Sequence, residues 1–205
     1  MSARKNTRMK VASRSKAAME PSSKPASQSQ RVPVAVLGAT GAVGQTFIRL
    51  LQGHPLFEVT EVAASERSAG KTFRDAMTWH EGPLPEDVAD LVVKPCDPAE
   101  IGAQVVFSAL DASVAGEVEQ AFAKAGAVVL SNARNHRMDP DVPLVIPEVN
   151  ADHLSLIDAQ RKKRGWKGAI VTNANCASTT ATVALAPLHE AFGAREAVIA
   201  TMQAV

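Results

Sequence analysis

The sequence has few aromatic residues and few cysteines, and each shortage excludes a class of protein. Aromatic residues make up 4% of the 205 residues and tyrosine is absent. This argues against a binder of single-stranded nucleic acid, because such proteins stack bases on aromatic side chains. The two cysteines, Cys96 and Cys176, lie 80 positions apart, which suits neither a disulfide framework nor a zinc site. We therefore expect no metal site and a cytoplasmic, reducing location.

Long apolar runs and internal repeats are also missing. No run approaches the ~20 apolar residues that a membrane-spanning helix needs, so we expect no membrane partner. No repeat at a solenoid period is visible. With 205 residues, 46% of them hydrophobic, the chain is long enough to bury a sizeable core.

Acidic residues are scarce in the first 31 positions. This segment carries eight Lys and Arg against the single acid Glu20, a formal charge of +7, whereas the remainder carries 14 against 20, a formal charge of −6. The segment is rich in Ser and interrupted by Pro, which predicts a disordered basic tail over residues 1–31. A mitochondrial transit peptide is the alternative, because such peptides are also basic, Ser-rich and poor in acids.

From residue 32 onward, short apolar runs alternate with helical stretches. This order is typical of βα units around a parallel sheet. "VPVAVLG" predicts the first strand, and the following helix would place Val43, Phe47, Leu50 and Leu51 on one face. Further strands are predicted at "FEVTEVAAS", "ADLVVKP", "AQVVFSAL", "AVVLSN", "KGAIVTN" and "REAVIATMQAV". The basic cluster at residues 161–164 is interpreted as a solvated helix end rather than a nucleic-acid contact.

A glycine-rich turn follows the first predicted strand. "VLGATGAVGQ" places Gly38, Gly41 and Gly44 three residues apart, between a strand and a helix. Glycines at such a turn let the backbone approach a pyrophosphate, and the helix N-terminus supplies free N–H groups and positive potential. In this βαβ context the motif predicts dinucleotide binding; a tight structural turn is the alternative.

The end of the second predicted strand distinguishes between two dinucleotides. An NAD enzyme usually places an acid there to bind the ribose hydroxyl. Here "ASERSAGK" gathers Ser65, Arg67 and Ser68, and these donors suit the 2′-phosphate of NADP. Glu66 could instead reach the hydroxyl of NAD. The residues favour NADP.

Cys176 lies in "TNANCAST", between a predicted strand and a run of small residues that can open a helix. The dipole at a helix N-terminus favours a thiolate, and the amides of Asn173 and Asn175 could bind an oxyanion or a phosphate. Most cysteines, however, are simply small buried residues. The spacing leaves both interpretations open, a nucleophile and a packed thiol.

Four segments in a fixed order resemble one enzyme family. "VLGATGAVGQ", "AASERSAGK", "SNARNHRMDPDVPLVIPEVNADHL" and "TNANCAST" look like aspartate-β-semialdehyde dehydrogenase of the fungal and archaeal branch. The third segment does not resemble N-acetylglutamyl-phosphate reductase or glyceraldehyde-phosphate dehydrogenase, which also use a nucleophilic cysteine. The resemblance implies that a thiolate attacks L-aspartyl-4-phosphate, phosphate leaves, and NADPH reduces the thioester to the semialdehyde. This step leads toward lysine, threonine and methionine.

The resemblance also assigns roles to particular residues. It implies that Cys176 is the nucleophile, that Arg137 and Asn175 hold the substrate phosphate, and that Gln203 helps to place the acyl group. The cofactor-binding residues that it implies are Thr40, Gly41, Ala42 and Val43 at the pyrophosphate, and Ser65, Arg67 and Ser68 at the 2′-phosphate. The family's members form homo-oligomers.

The family's chains continue well past residue 205, and its general-base histidine and carboxylate-binding arginine lie in that further part. We therefore expect a fragment or truncated form. Its domains would be a tail at 1–31, a Rossmann-like NADP-binding domain with a parallel sheet at 32–175, and at 176–205 the nucleophile helix and first strand of a second α+β domain. The alternatives are a non-catalytic NADP-binding module and a related acyl-phosphate reductase.

Overall fold

A computed structural model describes residues 31–202 of the chain. All of the predicted basic tail except Arg31 lies outside the described residues, and so does Gln203. The predictions made for those positions are therefore not addressed by the structure.

Seven parallel strands form one sheet, which confirms the predicted fold class. The strands in chain order are β1 Val32–Leu37, β2 Phe57–Ala64, β3 Lys94–Pro95, β4 Val105–Ser108, β5 Val128–Ser131, β6 Leu144–Val145 and β7 Ala169–Asn173. Their spatial order is β3-β2-β1-β4-β5-β7-β6, and every neighbouring pair is parallel. The chain order reverses between β1 and β4, which is where open α/β sheets bind ligands beyond the carboxyl ends of their strands.

Helices connect the strands. They are α1 Ala42–Leu51, α2 Phe73–Ala76, α3 Glu86–Ala89, α4 Ala112–Ala125, α5 Pro147–Asn150, α6 Leu156–Arg164 and α7 Cys176–Phe192, with a 3-10 helix at Ala151–Ser155. The sequence did not predict the single turns α2 and α3. The strand predicted at "ADLVVKP" shortens to β3, because Val92 instead forms an antiparallel bridge with Thr72.

The core occupies both faces of the sheet, as the continuous apolar run of β1 predicts. Ala35 and Leu37 pack on one face, where Phe122 of α4 lies. Val34 and Val36 pack on the other face with Ile48 of α1. Strand β1 is therefore buried on both sides, which fixes the position of the loop that follows it.

The buried face of α1 agrees with the prediction at Phe47 and Leu51, which pack against the core, and differs from it elsewhere. Val43 and Leu50 are exposed, whereas Gly44, Ile48 and Leu51 are buried. The reason is that Gly44 has no side chain, so α1 turns this residue toward the loop after β1. The buried stripe therefore runs through Gly44 and not through Val43.

The prediction of a strand at "REAVIATMQAV" is wrong for residues 195–202, the part of this segment that the structure describes. Residues 194–202 have no regular secondary structure, and Val198 and Met202 are fully exposed. A strand needs a neighbour for its backbone hydrogen bonds, and none of the seven described strands lies beside this segment. The proposed division at residue 176 stays a prediction.

Candidate functional site

The glycine-rich turn forms an open cradle between β1 and α1. Gly38 adopts a φ of +71°, and a Cβ there would lie 2.6 Å from the Ala109 carbonyl oxygen. A Cβ on Gly44 would lie 2.2 Å from the Gly38 carbonyl oxygen. No side chain caps the N-terminus of α1 at Gly41. This free helix end suits an anionic pyrophosphate; Thr40, Ala42 and Val43 complete the predicted turn.

Gln45 fixes this cradle, a role that no sequence motif indicated. The side chain is 3% exposed, and its Nε2 donates to the carbonyl oxygens of Thr40 at 3.1 Å and Thr78 at 3.0 Å. Its Oε1 accepts from the His80 backbone N–H at 2.9 Å. The amide thereby joins the cradle to the segment around residue 79. The sequence offered one signal for this role of Gln45, namely a polar residue next to the apolar positions of α1.

The turn after β2 lies beside the cradle. The backbone N–H of Ala39 donates to the Ala63 carbonyl at 3.0 Å, and the N–H of Ser68 donates to the Ser65 carbonyl at 2.9 Å. Ser65 and Arg67 are exposed at the carboxyl end of the sheet, and Ser68 is half-buried. Glu66 is exposed in the same turn. The donors are thus available to a phosphate near the end of β2.

Cys176 is the first residue of α7, directly after β7. The Oδ1 of Asn175 accepts from the Ser178 backbone N–H at 2.8 Å and so caps the helix. The Cys176 residue is exposed, and its carbonyl accepts from the Thr180 hydroxyl at 2.9 Å. The helix cap therefore uses the oxygen of Asn175 and leaves its amide nitrogen available to a ligand.

Arg137 is joined to β7, the strand that precedes Cys176, through Asn132, a residue to which no sequence motif assigned a role. The Arg137 Nη2 donates to the Asn132 carbonyl at 2.8 Å, and the Asn173 Nδ2 donates to the Asn132 Oδ1 at 2.9 Å. The Arg137 Nε is buried and has no hydrogen-bond partner among the described residues. A buried donor without a partner is costly in folding free energy.

A sequence signal for Asn132 did exist. Strand β5 ends in Ser131 followed by Asn132, and β7 ends in Thr172 and Asn173. Ser131 and Thr172 are register partners, so the two asparagines lie side by side. The repeated polar ending predicts their contact once β5 and β7 are known to be neighbours.

His136 has a structural environment, although it is next to Arg137 in the sequence. Its Nδ1 lies 2.9 Å from the Asp139 Oδ2, and its Nε2 lies 3.3 Å from the Gly116 carbonyl oxygen. The residue is 4% exposed. Both ring nitrogens are engaged in the fold, so this histidine is unsuited to act as a general base.

Cys96, unlike the exposed Cys176, is partly enclosed by the fold. Its Sγ donates to the Ala64 carbonyl at 3.6 Å. The thiol is largely buried, and this burial raises its pKa above the ordinary value, although the Gly38 backbone N–H opposes the shift. Cys96 is therefore a packed thiol beneath the cradle.

Three features together define the class of protein. They are a doubly wound parallel sheet, a glycine-rich cradle where the chain order of the strands reverses, and a cysteine that follows a nearby strand. Residues 33–157 match the family described as "Semialdehyde dehydrogenase, NAD binding domain". The chain therefore belongs to the semialdehyde dehydrogenase family. Among the residues that the structure describes, no helix has the length and apolar character to span a membrane.

Individual relatives agree with the family assignment. An aspartate-semialdehyde dehydrogenase from Trichophyton rubrum is 53% identical over 174 residues, which cover 83% of this chain and 48% of the relative. The "Malonyl CoA reductase (NADP)" of Metallosphaera sedula is 43% identical over 173 residues, with coverage of 83% and 48%. The resemblance seen in the four sequence segments is confirmed.

A solved structure supports the fold directly. The aspartate semialdehyde dehydrogenase from Candida albicans, crystallised with NADP, superposes with a TM-score of 0.71 at 44% identity, covering 80% of this chain and 48% of that one. The chain thus spans about half the length of the relatives that it matches.

Proposed function

We propose that this chain is the cofactor-binding and thiol-bearing part of an aspartate-semialdehyde dehydrogenase. The observation that carries the proposal is the meeting of the glycine cradle, the Asn132–Arg137–Asn173 contacts and Cys176 at one edge of the sheet. The reaction is the NADPH-dependent conversion of L-aspartyl-4-phosphate to L-aspartate 4-semialdehyde. The similarity to the enzyme from Trichophyton rubrum supports this choice of substrate.

In this proposal Cys176 attacks the acyl carbon of aspartyl phosphate. A C–S bond forms, the C–O bond to the phosphate breaks, and phosphate leaves with the bonding electrons. The Arg137 guanidinium, on a half-buried residue, and the amide nitrogen of Asn175 bind the leaving phosphate, because charge-assisted donors bind phosphate oxygens strongly. Gln203 would help to place the acyl group. The product on the protein is an aspartyl thioester of Cys176.

The residues present fit NADP. The N-terminus of α1 has no side-chain cap at Gly41, so its backbone N–H groups can bind a pyrophosphate, and Ser65, Arg67 and Ser68 provide donors for the 2′-phosphate beside it. When bound, NADPH supplies the hydride that reduces the thioester. Glu66, which could bind a ribose hydroxyl, is the residue that would favour NAD.

A second candidate is the reduction of an acyl-CoA thioester. The 43% identity to a protein named malonyl CoA reductase (NADP) favours it. Both reactions pass through an acyl group on a cysteine. They differ in the aldehyde produced, which carries an α-amino group only in the aspartate case.

Acylation of Cys176 in the reverse direction tests the proposal. The chain is incubated with NADP and L-aspartate semialdehyde without phosphate, and its mass is measured. We expect a slow aspartyl adduct at Cys176, one for each NADPH formed, because the general-base histidine that the resemblance implies lies in the part of the relatives that this chain does not cover. No adduct is expected in Cys176→Ser. An adduct from malonate semialdehyde alone would support the second candidate. NADPH binding with no adduct from either aldehyde would leave a non-catalytic NADP-binding module.

We also propose that the protein is a homo-oligomer in the cytoplasm, with small molecules as its ligands. The scarcity of cysteine supports a reducing compartment. A mitochondrial location is the alternative if the basic segment at residues 1–31 is a transit peptide. Imaging of the protein with and without that segment distinguishes the two locations.

A further inference from the structure

A carboxyl group lies fully buried between α4 and the sheet. Glu119 is 0% exposed, and its Oε1 accepts hydrogen bonds from the hydroxyls of Ser108 at 2.6 Å and Ser131 at 2.7 Å. Its Oε2 is buried and has no hydrogen-bond partner among the described residues. We call these three residues the Glu119 clamp.

Stability does not explain the clamp. The neighbouring buried residues of α4 are Ala115, Phe122 and Ala123, which pack without polar groups. A buried acceptor that lacks a partner costs free energy, and apolar groups of the same shape in place of a whole hydrogen-bonded set are often neutral or stabilising. A polar set at this position therefore needs a reason other than folding.

The two serines end the strands that carry the two halves of the candidate site. Ser108 is the last residue of β4, and Ala109 follows it with its carbonyl packed against the Gly38 backbone. Ser131 is the last residue of β5, and Asn132 follows it. The Ser131 hydroxyl also accepts from the Ala133 N–H at 3.1 Å, so it fixes the backbone on both sides of Asn132.

We propose that Glu119 is a positioning residue that holds the Asn132–Arg137 side of the site at a fixed distance from the glycine cradle. It acts through Ser108 on the loop that packs against Gly38, and through Ser131 on the loop that binds Arg137. The assignment of these two loops to cofactor and substrate rests on the proposed function. The geometry of the clamp does not depend on that function.

The test replaces the clamp with apolar residues of similar shape. The variant Ser108→Ala/Ser131→Ala/Glu119→Leu removes the three polar side chains together and leaves only the Ala133 N–H without its partner. We therefore expect its thermal midpoint to stay close to that of the unmodified protein. We expect solvent exchange of the Arg137 Nε–H, measured by NMR, to become at least about tenfold faster. Acylation of Cys176 should slow by about tenfold or more, since a 1 Å misplacement can cost about 10²-fold.

Controls separate positioning from stability. Glu117→Leu makes the same change on the exposed side of α4 and should alter neither rate. Should the triple variant fold poorly, Ser131→Ala alone leaves Glu119 bonded to Ser108 and should still speed the Arg137 exchange. Unchanged exchange and unchanged acylation in a folded variant would overturn the proposal. Absence of acylation in the unmodified protein would count against the proposed function only, and the Arg137 exchange would then decide the role of Glu119.

Discussion

The two cysteines show how the same side chain acquires different properties from its surroundings. Cys176 is exposed at the start of α7, where backbone N–H groups favour negative charge. Cys96 is packed against Ala64, and burial raises the pKa of its thiol. A thiol must lose its proton to react. Reactivity should therefore be concentrated at Cys176.

Iodoacetamide at pH 7 should label Cys176 faster than Cys96 in the folded protein. The expected difference is on the order of tenfold for each unit that burial raises a thiol pKa, because labelling follows the thiolate fraction. Peptide mass spectrometry over a time course measures both rates. The same experiment in guanidinium chloride should give equal rates. Equal rates in the folded protein would show that the fold does not distinguish the two thiols.

The sequence predicted the role of a residue when that residue lies in a contiguous motif. It did not predict a role that depends on contact with a distant part of the chain. Gly38, Arg67 and Cys176 lie within contiguous segments that specify their surroundings. Asn132 gains its role from Asn173, which is 41 positions away, and Gln45 from the segment near residue 78, which is 33 positions away. Such contacts exist only after the strands are ordered in space.

At the scale of elements, the packing of α1 against the loop after β1 depends on a missing side chain. The Cβ of an alanine at position 44 would lie 2.2 Å from the Gly38 carbonyl oxygen and 2.7 Å from the Ala39 Cα, and both are backbone atoms. The backbone cannot move aside without displacing β1. Gly44 therefore sets the distance between helix and loop.

Gly44→Ala should lower the free energy of unfolding by about 1–3 kcal/mol, the usual cost of overpacking. Gly41→Ala is the matched control, because its Cβ would lie 3.4 Å from the Gly38 carbonyl oxygen and its φ is −81°. Urea unfolding measures both variants. Equal stability of the two would mean that α1 has room to move away from the loop.

Helix α6 is attached to the loop between β5 and β6 by ionic contacts. Arg164 donates to both carboxyl oxygens of Asp141, and Lys163 donates to Asp141 Oδ1 at 3.1 Å. The hydrogen bonds from Arg164 hold the pKa of Asp141 well below its ordinary value, although burial opposes this shift. The charged form of Asp141 is therefore bound more favourably in the folded protein than in the unfolded chain.

This lowered pKa predicts a loss of stability in acid. The contribution of Asp141 is complete above the unfolded-state value of about 3.9 and falls as the pH drops below it, toward the lower folded-state pKa. The difference in unfolding free energy between the unmodified protein and Asp141→Asn should therefore shrink between about pH 4 and pH 2. Asp158→Asn, at an exposed carboxylate 4.0 Å from Arg161, should show little difference at any pH. A difference in unfolding free energy that stays constant between about pH 4 and pH 2 would contradict a lowered pKa at Asp141.

The sequence predicted the type and order of the helices and strands better than the residues at which they begin and end. The alternation of apolar runs predicted β1, β2, β4, β5 and β7, since buried parallel strands are nearly continuous in apolar residues. The segment at residues 194–202 has the same pattern and forms no strand, because a strand also requires a hydrogen-bonding neighbour. An apolar pattern shows that a segment can form a strand. Whether the strand forms depends on a neighbouring strand that completes its backbone hydrogen bonds.

At the scale of the whole molecule, the sheet brings the ends of β1, β2, β5 and β7 to one edge. The cradle and the turn at residue 65 lie on one side of that edge, and Arg137 and Cys176 follow the strands on the other side. Parallel strands have all their carboxyl ends at the same edge, so four segments far apart in sequence contribute to one region. The family resemblance identified the segments, and the topology explains why they act together.

Calorimetric titration of residues 1–205 with NADPH and with NADH tests most directly that this region is an NADP site. The donors in the turn at residues 65–68 should give NADPH an advantage of about 1.5–3 kcal/mol, or at least tenfold in affinity, as charge-assisted hydrogen bonds do. Arg67→Ala should remove most of that advantage, whereas Arg74→Ala, whose guanidinium pairs with Glu86 and Asp90, should keep it. Tight binding of NADPH with this pattern is the predicted result; equal affinity for the two nucleotides, or no binding of either, would contradict it.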